Sequence, residues 1–124
     1  MGLFNVLMGN ASDIDAADIQ KLYEPLLCSG EIIERAFSHI RDKWVFTNKR
    51  LIMQNTQGVT GKKKDFFSIP YHSVECFSIE TAGTFDEDAE MKIWVKGLEA
   101  PVEIHFGPGM DILELQKTFA EHVL

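Results

Sequence analysis

A chain of 124 residues with 45% apolar, 10% aromatic and 25% charged residues reads as one globular domain, long enough to bury a core without disulfides or metals. Its formal charge of −7 argues against a nucleic-acid binder held by phosphate neutralisation. The charge is unevenly laid: residues 1–30 carry a net −3, residues 31–70 a net +4 and residues 71–124 a net −8.

In chain order, Leu3, Phe4, Val6, Leu7 and Met8 form an apolar start with no basic flank, so no secretory signal is expected, and Val6 stands where myristoylation wants Ser or Thr. This segment is expected to fold back or to pack on a neighbouring subunit. A short helix is predicted over 12–26. Ser12 caps it, Asp13 and Asp15 favour its first turn, Ile14, Ala17 and Leu22 give the apolar spacing, and Pro25 interrupts it. From Glu31 to Phe106, β-branched and aromatic runs alternate with polar turns, and seven strands are predicted near 31–40, 43–48, 50–56, 64–69, 74–81, 90–96 and 101–106. The last two alternate most clearly. Met91, Ile93 and Val95 oppose Glu90, Lys92, Trp94 and Lys96, and Val102, Ile104 and Phe106 oppose Glu103 and His105. Residues 97–101 are short enough to join them as an antiparallel hairpin. Gly107, Pro108 and Gly109 then stop the strand, and Ile112, Leu115, Phe119 and Val123 mark an amphipathic terminal helix opened at Asp111.

No window approaches the roughly 20 apolar residues that span a bilayer. Cys28 and Cys76 lack zinc-site spacing and are too few for a disulfide scaffold, so they read as buried free thiols in a cytoplasmic, reducing setting. The expected fold is mainly β with α: seven antiparallel strands in a partly open barrel or two near-orthogonal sheets, capped by the C-terminal helix. Residues 1–30 form an N-terminal segment with its short helix, and residues 31–124 the domain. This element order is that of the pleckstrin-homology (PH) architecture, which the order alone leaves as one option among several.

Three stretches carry a more specific likeness. Trp44-Val45-Phe46-Thr47-Asn48-Lys49-Arg50-Leu51-Ile52 resembles the second-to-third strand hairpin of the bacterial PH-like domain family, and an Asn in that tight turn tolerates positive φ. Phe67-Ser68-Ile69-Pro70-Tyr71-His72-Ser73-Val74 is similar to the family's strand end and Ile-Pro-Tyr turn, where Pro70 removes a donor. Glu80-Thr81-Ala82-Gly83-Thr84-Phe85-Asp86 is similar to its loop before the sixth strand. The resemblance, which covers essentially the whole chain, implies a non-catalytic domain that assembles into a closed ring, five-fold in single-domain members, with a hydrophilic partner-docking surface at subunit junctions. Members with larger rings carry an added helical hairpin, whereas this chain ends at Leu124, so the pentamer is expected.

Two groups of residues are candidate sites. Lys92, Trp94, Lys96, Glu103 and His105 form a candidate interaction surface, because an indole on a polar strand face suits a binding anchor. The plainer reading of Trp94 is a cross-strand contact near His105 or under the N-terminal segment. Arg41, Lys43, Lys49, Arg50, Lys62, Lys63 and Lys64 form a candidate basic patch for anionic lipid, although Asp42 breaks the basic pattern that lipid-binding PH domains use. Catalytic residues, cofactor and metal are not expected. Ser38-His39 and His72-Ser73 are strand neighbours pointing to opposite faces, and Asp86-Glu87-Asp88-Ala89-Glu90 lacks the glycine and distant glutamate of a calcium loop. Partners are further copies of the chain and an unidentified protein, without nucleic acid.

Overall fold

In the computed structural model, residues 12–39, 42–81, 88–108 and 110–124 are described. Two compact units divide at Ile69 and Pro70. In the first, β1 (Ser12–Asp13) leads into α1 (Ala16–Tyr23) and a 3-10 turn (Glu24–Leu26), followed by β2 (Ile33–His39), β3 (Asp42–Thr47), β4 (Arg50–Gln57) and β5 (Lys63–Pro70). The sheet runs in the order β1-β2-β3-β4-β5, with antiparallel pairing from β1 to β4.

The helix begins later than its sequence suggests. Ser12 and Asp13 pair with Ser38 and Phe37 of β2, which takes their backbone into the sheet. Asp15 caps instead, its side chain accepting from the Ala17 N–H at 2.9 Å. The buried stripe is Ile19 and Tyr23, one turn apart, while Leu22 stands 64% exposed. Those two residues pack with Ile33, Ala36, Val45 and Ile52, and Ile14, Ala16 and Leu27 border the cluster. The register explains the grouping: Ala36, Val45 and Ile52 lie in one cross-strand row and so share a face. The neighbouring rows put Phe37, Phe46 and Leu51 on the other face, all buried, with Phe37 and Phe46 edge to face at 6.0 Å. Pro25 lies within the 3-10 turn, where its missing N–H costs nothing.

The second unit holds a 3-10 turn (Tyr71–Ser73), β6 (Val74–Glu80), β7 (Ala89–Val95), β8 (Val102–Phe106) and α2 (Ile112–Val123). Its antiparallel sheet runs β6-β7-β8. The β7–β8 hairpin forms as its alternation predicts, and Gly97 at φ 87° makes the turn that an L side chain would strain. Asp111 caps α2 through the Glu114 N–H, and Ile112, Leu115 and Phe119 are its buried stripe, as read from the spacing. Phe119 packs edge to face on Tyr71 and Phe77.

All seven predicted strands are present, joined by the short β1, but the barrel is not. The strands form two open sheets, and among the described residues neither closes on itself. The cause is local. Pro70 ends β5 without a donor to continue the ladder, the 3-10 turn follows at once, and β6 then pairs with β7. A second expectation also fails: Cys28 and Cys76 are both exposed. Cys76 follows a bulge at the start of β6 and shares the outward row with Trp94, while Cys28 lies in the irregular link before β2. The apolar start and most of the third resembling stretch lie outside the described residues.

Candidate functional site

The central strand of the second unit sorts its side chains strictly by parity: Ala89, Met91, Ile93 and Val95 are buried, and Glu90, Lys92 and Trp94 are half-buried on the other face. Flanking strands complete that face through register. Glu80 and His105 lie opposite Glu90, Ser78 and Glu103 opposite Lys92, and Cys76 opposite Trp94. Glu90 is the hub. Its Oε2 is 3.1 Å from His105 Nδ1 and its Oε1 is 3.8 Å from Lys92 Nζ, while His105 Nε2 lies 3.7 Å from Glu103 Oε1.

Four of the five proposed surface residues, Lys92, Trp94, Glu103 and His105, therefore share one sheet face. Lys96 does not extend the strand; it is exposed in the turn after β7, and its N–H donates to the Ser73 carbonyl at 2.9 Å. Trp94 does not have His105 as its cross-strand neighbour: His105 lies opposite Glu90, and the β6 partner of Trp94 is Cys76. Sequence reasoning placed Glu90 on the polar face but gave it no role, because only cross-strand register puts it beside His105.

The basic residues of the first unit do not form a single group. Lys62, Lys63 and Lys64 are exposed at the start of β5, and Lys43 is half-buried at the start of β3. Burial, reinforced by the nearby Lys64 charge, pushes the Lys43 ammonium below the usual lysine range against the opposing pull of Asp42. Lys49 and Arg50 sit at the opposite end of the same hairpin, roughly 13 Å away at the rise of an extended strand over four residues. Arg41 lies outside the described residues.

Arg50 has a structural partner. Its Nε donates to Glu31 Oε2 at 2.8 Å and its Nη2 to Glu31 Oε1 at 3.0 Å, a two-pronged contact on a buried carboxylate. The same guanidinium reaches the Leu26 carbonyl and Ser68 Oγ. Thr47 donates to Glu31 at 2.7 Å and accepts from the Lys49 and Arg50 N–H groups, while Asn48 clamps the chain before β2 through the Ile32 N–H and the Gly30 carbonyl. The motif Thr47-Asn48-Lys49-Arg50 thus fastens the β3–β4 hairpin to residues 26–32. Burial alone would raise the Glu31 carboxyl. The bonds from Arg50, Cys28 and Thr47, with the Arg50 charge, outweigh it and hold the pKa at about 2.

Comparison with known proteins agrees with this architecture. Residues 2–123 match the family described as Bacterial PH domain. The uncharacterized protein YjqA of Bacillus subtilis is 48% identical over 121 residues, 97% of each chain. A crystal structure of a DUF1696 family protein with a pleckstrin-homology domain from Shewanella loihica superposes with TM-score 0.84 at 42% identity, covering 94% of this chain and 99% of that one. A pleckstrin homology domain from Shewanella amazonensis gives TM-score 0.71 at 44% identity, covering 99% of each.

Proposed function

We propose that this chain, which belongs to the bacterial PH domain family, is a cytoplasmic scaffold that assembles with copies of itself into a closed ring and docks a protein partner at the subunit junctions. PH-like domains are non-catalytic modules of protein or membrane interaction, and for this member the interaction is with its own copies and a docked protein. Five copies is the number implied by its likeness to single-domain members. The docking surface is assigned to Lys92, Trp94, Lys96, Glu103 and His105.

The observation that supports this reading is β5. It is the edge of its sheet, with no second neighbour among the described residues, and it carries Phe66 and Phe67 at 38% and 42% exposure beside Lys62, Lys63 and Lys64. An exposed aromatic edge invites pairing with another chain. The edges of the three-stranded sheet, β6 and β8, carry Glu75, Glu80 and Glu103, so a basic edge on one copy has an acidic counterpart on the next. A contact between unlike surfaces closes a ring when the rotation fits.

Light scattering on the whole chain is expected to give one discrete multimer at low salt, and Phe67→Asp is expected to shift it toward the 14.1 kDa monomer without changing the far-UV spectrum. A wild type that is monomeric at both low and high salt overturns the scaffold. The alternative, anionic membrane binding, is favoured by the cluster of Lys43 and Lys62 to Lys64, worth about 1 kcal/mol per base near the surface and opposed by the overall −7. Co-sedimentation with phosphatidylserine vesicles separates the two, since the scaffold predicts little pelleting. Among the described residues no helix is long and apolar enough to cross a membrane.

A further inference from the structure

We propose that Glu90, Glu103 and His105 bind a divalent transition-metal ion on the polar face of the three-stranded sheet. Each supplies one ligand atom, and the three atoms lie within 4.8 Å of one another. Their convergence is built into the backbone. Glu90 and His105 are direct cross-strand partners, and Glu103 precedes His105 by two residues and so shares its face. The 3.1 Å between His105 Nδ1 and Glu90 Oε2 matches the edge of a coordination shell, which is about 3.0–3.4 Å for bonds near 2.1 Å. Glu103 Oε1 is exposed and lies 3.7 Å from Nε2, the other imidazole nitrogen, so a side-chain rotation that brings it round to the Nδ1 side completes the three-ligand set.

Charge on this face points the same way. Glu80 lies directly opposite Glu90 on the far side of β7, a like-charge pair that a cation relieves. Three carboxylates, Glu80, Glu90 and Glu103, face the single ammonium of Lys92. Lys92 approaches Glu90 Oε1 and leaves Oε2 toward His105, so it orients the carboxylate without occupying the ligand atom. One imidazole nitrogen with two carboxylates suits zinc, nickel or copper better than magnesium or calcium, which prefer all-oxygen shells. The remaining positions are open to solvent, available to water or to a donor from a docked partner. All three ligands come from a single copy of the chain, and Glu103 also belongs to the β8 edge offered to the ring contact.

Calorimetric titration of the chelator-stripped, reduced full chain with zinc chloride tests it. One zinc per chain is expected. Glu90→Gln and His105→Ala should each weaken binding at least tenfold, and His72→Ala, in the exposed 3-10 turn, should leave it unchanged. Thermal melts accompany the titration: zinc should raise the wild-type midpoint and leave the variants where they are without metal. If Glu90→Gln fails to fold, Glu103→Gln, at an exposed position, takes its place and should show the same loss. The proposal is overturned if the wild type takes up no zinc at millimolar concentration. It is equally overturned if the ligand variants bind as wild type does, or if only Cys28→Ser or Cys76→Ser removes binding.

Discussion

Replacing Glu31 with glutamine is expected to lower stability by about 2–4 kcal/mol, seen in chemical denaturation as an earlier midpoint with an unchanged slope. The amide keeps the volume but presents N–H groups to a guanidinium that has two donors aimed at this carboxylate. Arg50 is left with its charge partly buried and unpaired, and the Thr47 hydroxyl and Cys28 N–H compete for one remaining acceptor. The loss sits below the upper end for buried pairs because the Arg50 side chain retains 23% exposure. Arg50→Met alone should cost a similar amount, and the double variant should cost less than the two singles combined, since each single already removes the contact.

The same carboxylate sets part of the acid limb. Its folded pKa of about 2 lies below the reference of 4.5, so between those values the unfolded chain binds more protons and stability falls as pH falls. The contribution is fully present above pH 4.5, is lost toward pH 2, and amounts to about 2–3 kcal/mol after allowing for solvent access at Arg50. Stability profiles of wild type and Glu31→Gln should therefore converge over that window and run parallel above it. A constant gap down to pH 2 would refute the assignment.

Phe119→Ala is expected to cost about 3–5 kcal/mol, a large fraction of the stability of a small domain. Phe119 is 1% exposed and holds α2 through two edge-to-face contacts, at 5.7 Å to Tyr71 and 5.0 Å to Phe77. Removing the ring leaves a cavity lined by aromatic edges and forfeits the pair interactions as well as the burial. Leu113→Ala on the same helix, 62% exposed, should stay within about 0.5 kcal/mol. Equal losses at the two positions would mean that α2 is held by something other than this stripe.

The contrast between those two helix positions was legible in the chain. Ile112, Leu115 and Phe119 recur at helical spacing, and a local period reports which side of a helix is buried. Strand parity was equally legible in β7 and β8. The N-terminal helix was less so: Ser12 has the right chemistry for a cap, yet its backbone is claimed by β2, 26 residues away, and a pattern read locally cannot weigh that competitor. Arg50 was read as a free base for the same reason, since its partner Glu31 lies 19 residues earlier.

The seven longer strands, the buried face of each late element, the family likeness and the uneven distribution of charge could all be read from the chain, because each is written in spacing of a few residues or in composition. Tertiary structure alone decided that the sheets stay open, that the cysteines face outward, that the basic residues separate to opposite ends of a hairpin, and that Glu90 meets His105. These depend on strand register and on which edges pair, properties of segments distant in the chain. A shift of two residues in the β7–β8 register would keep the polar side chains of both strands on one face and still separate Glu90 from His105, which is why the polar face could be foreseen and its ion-pair cluster could not.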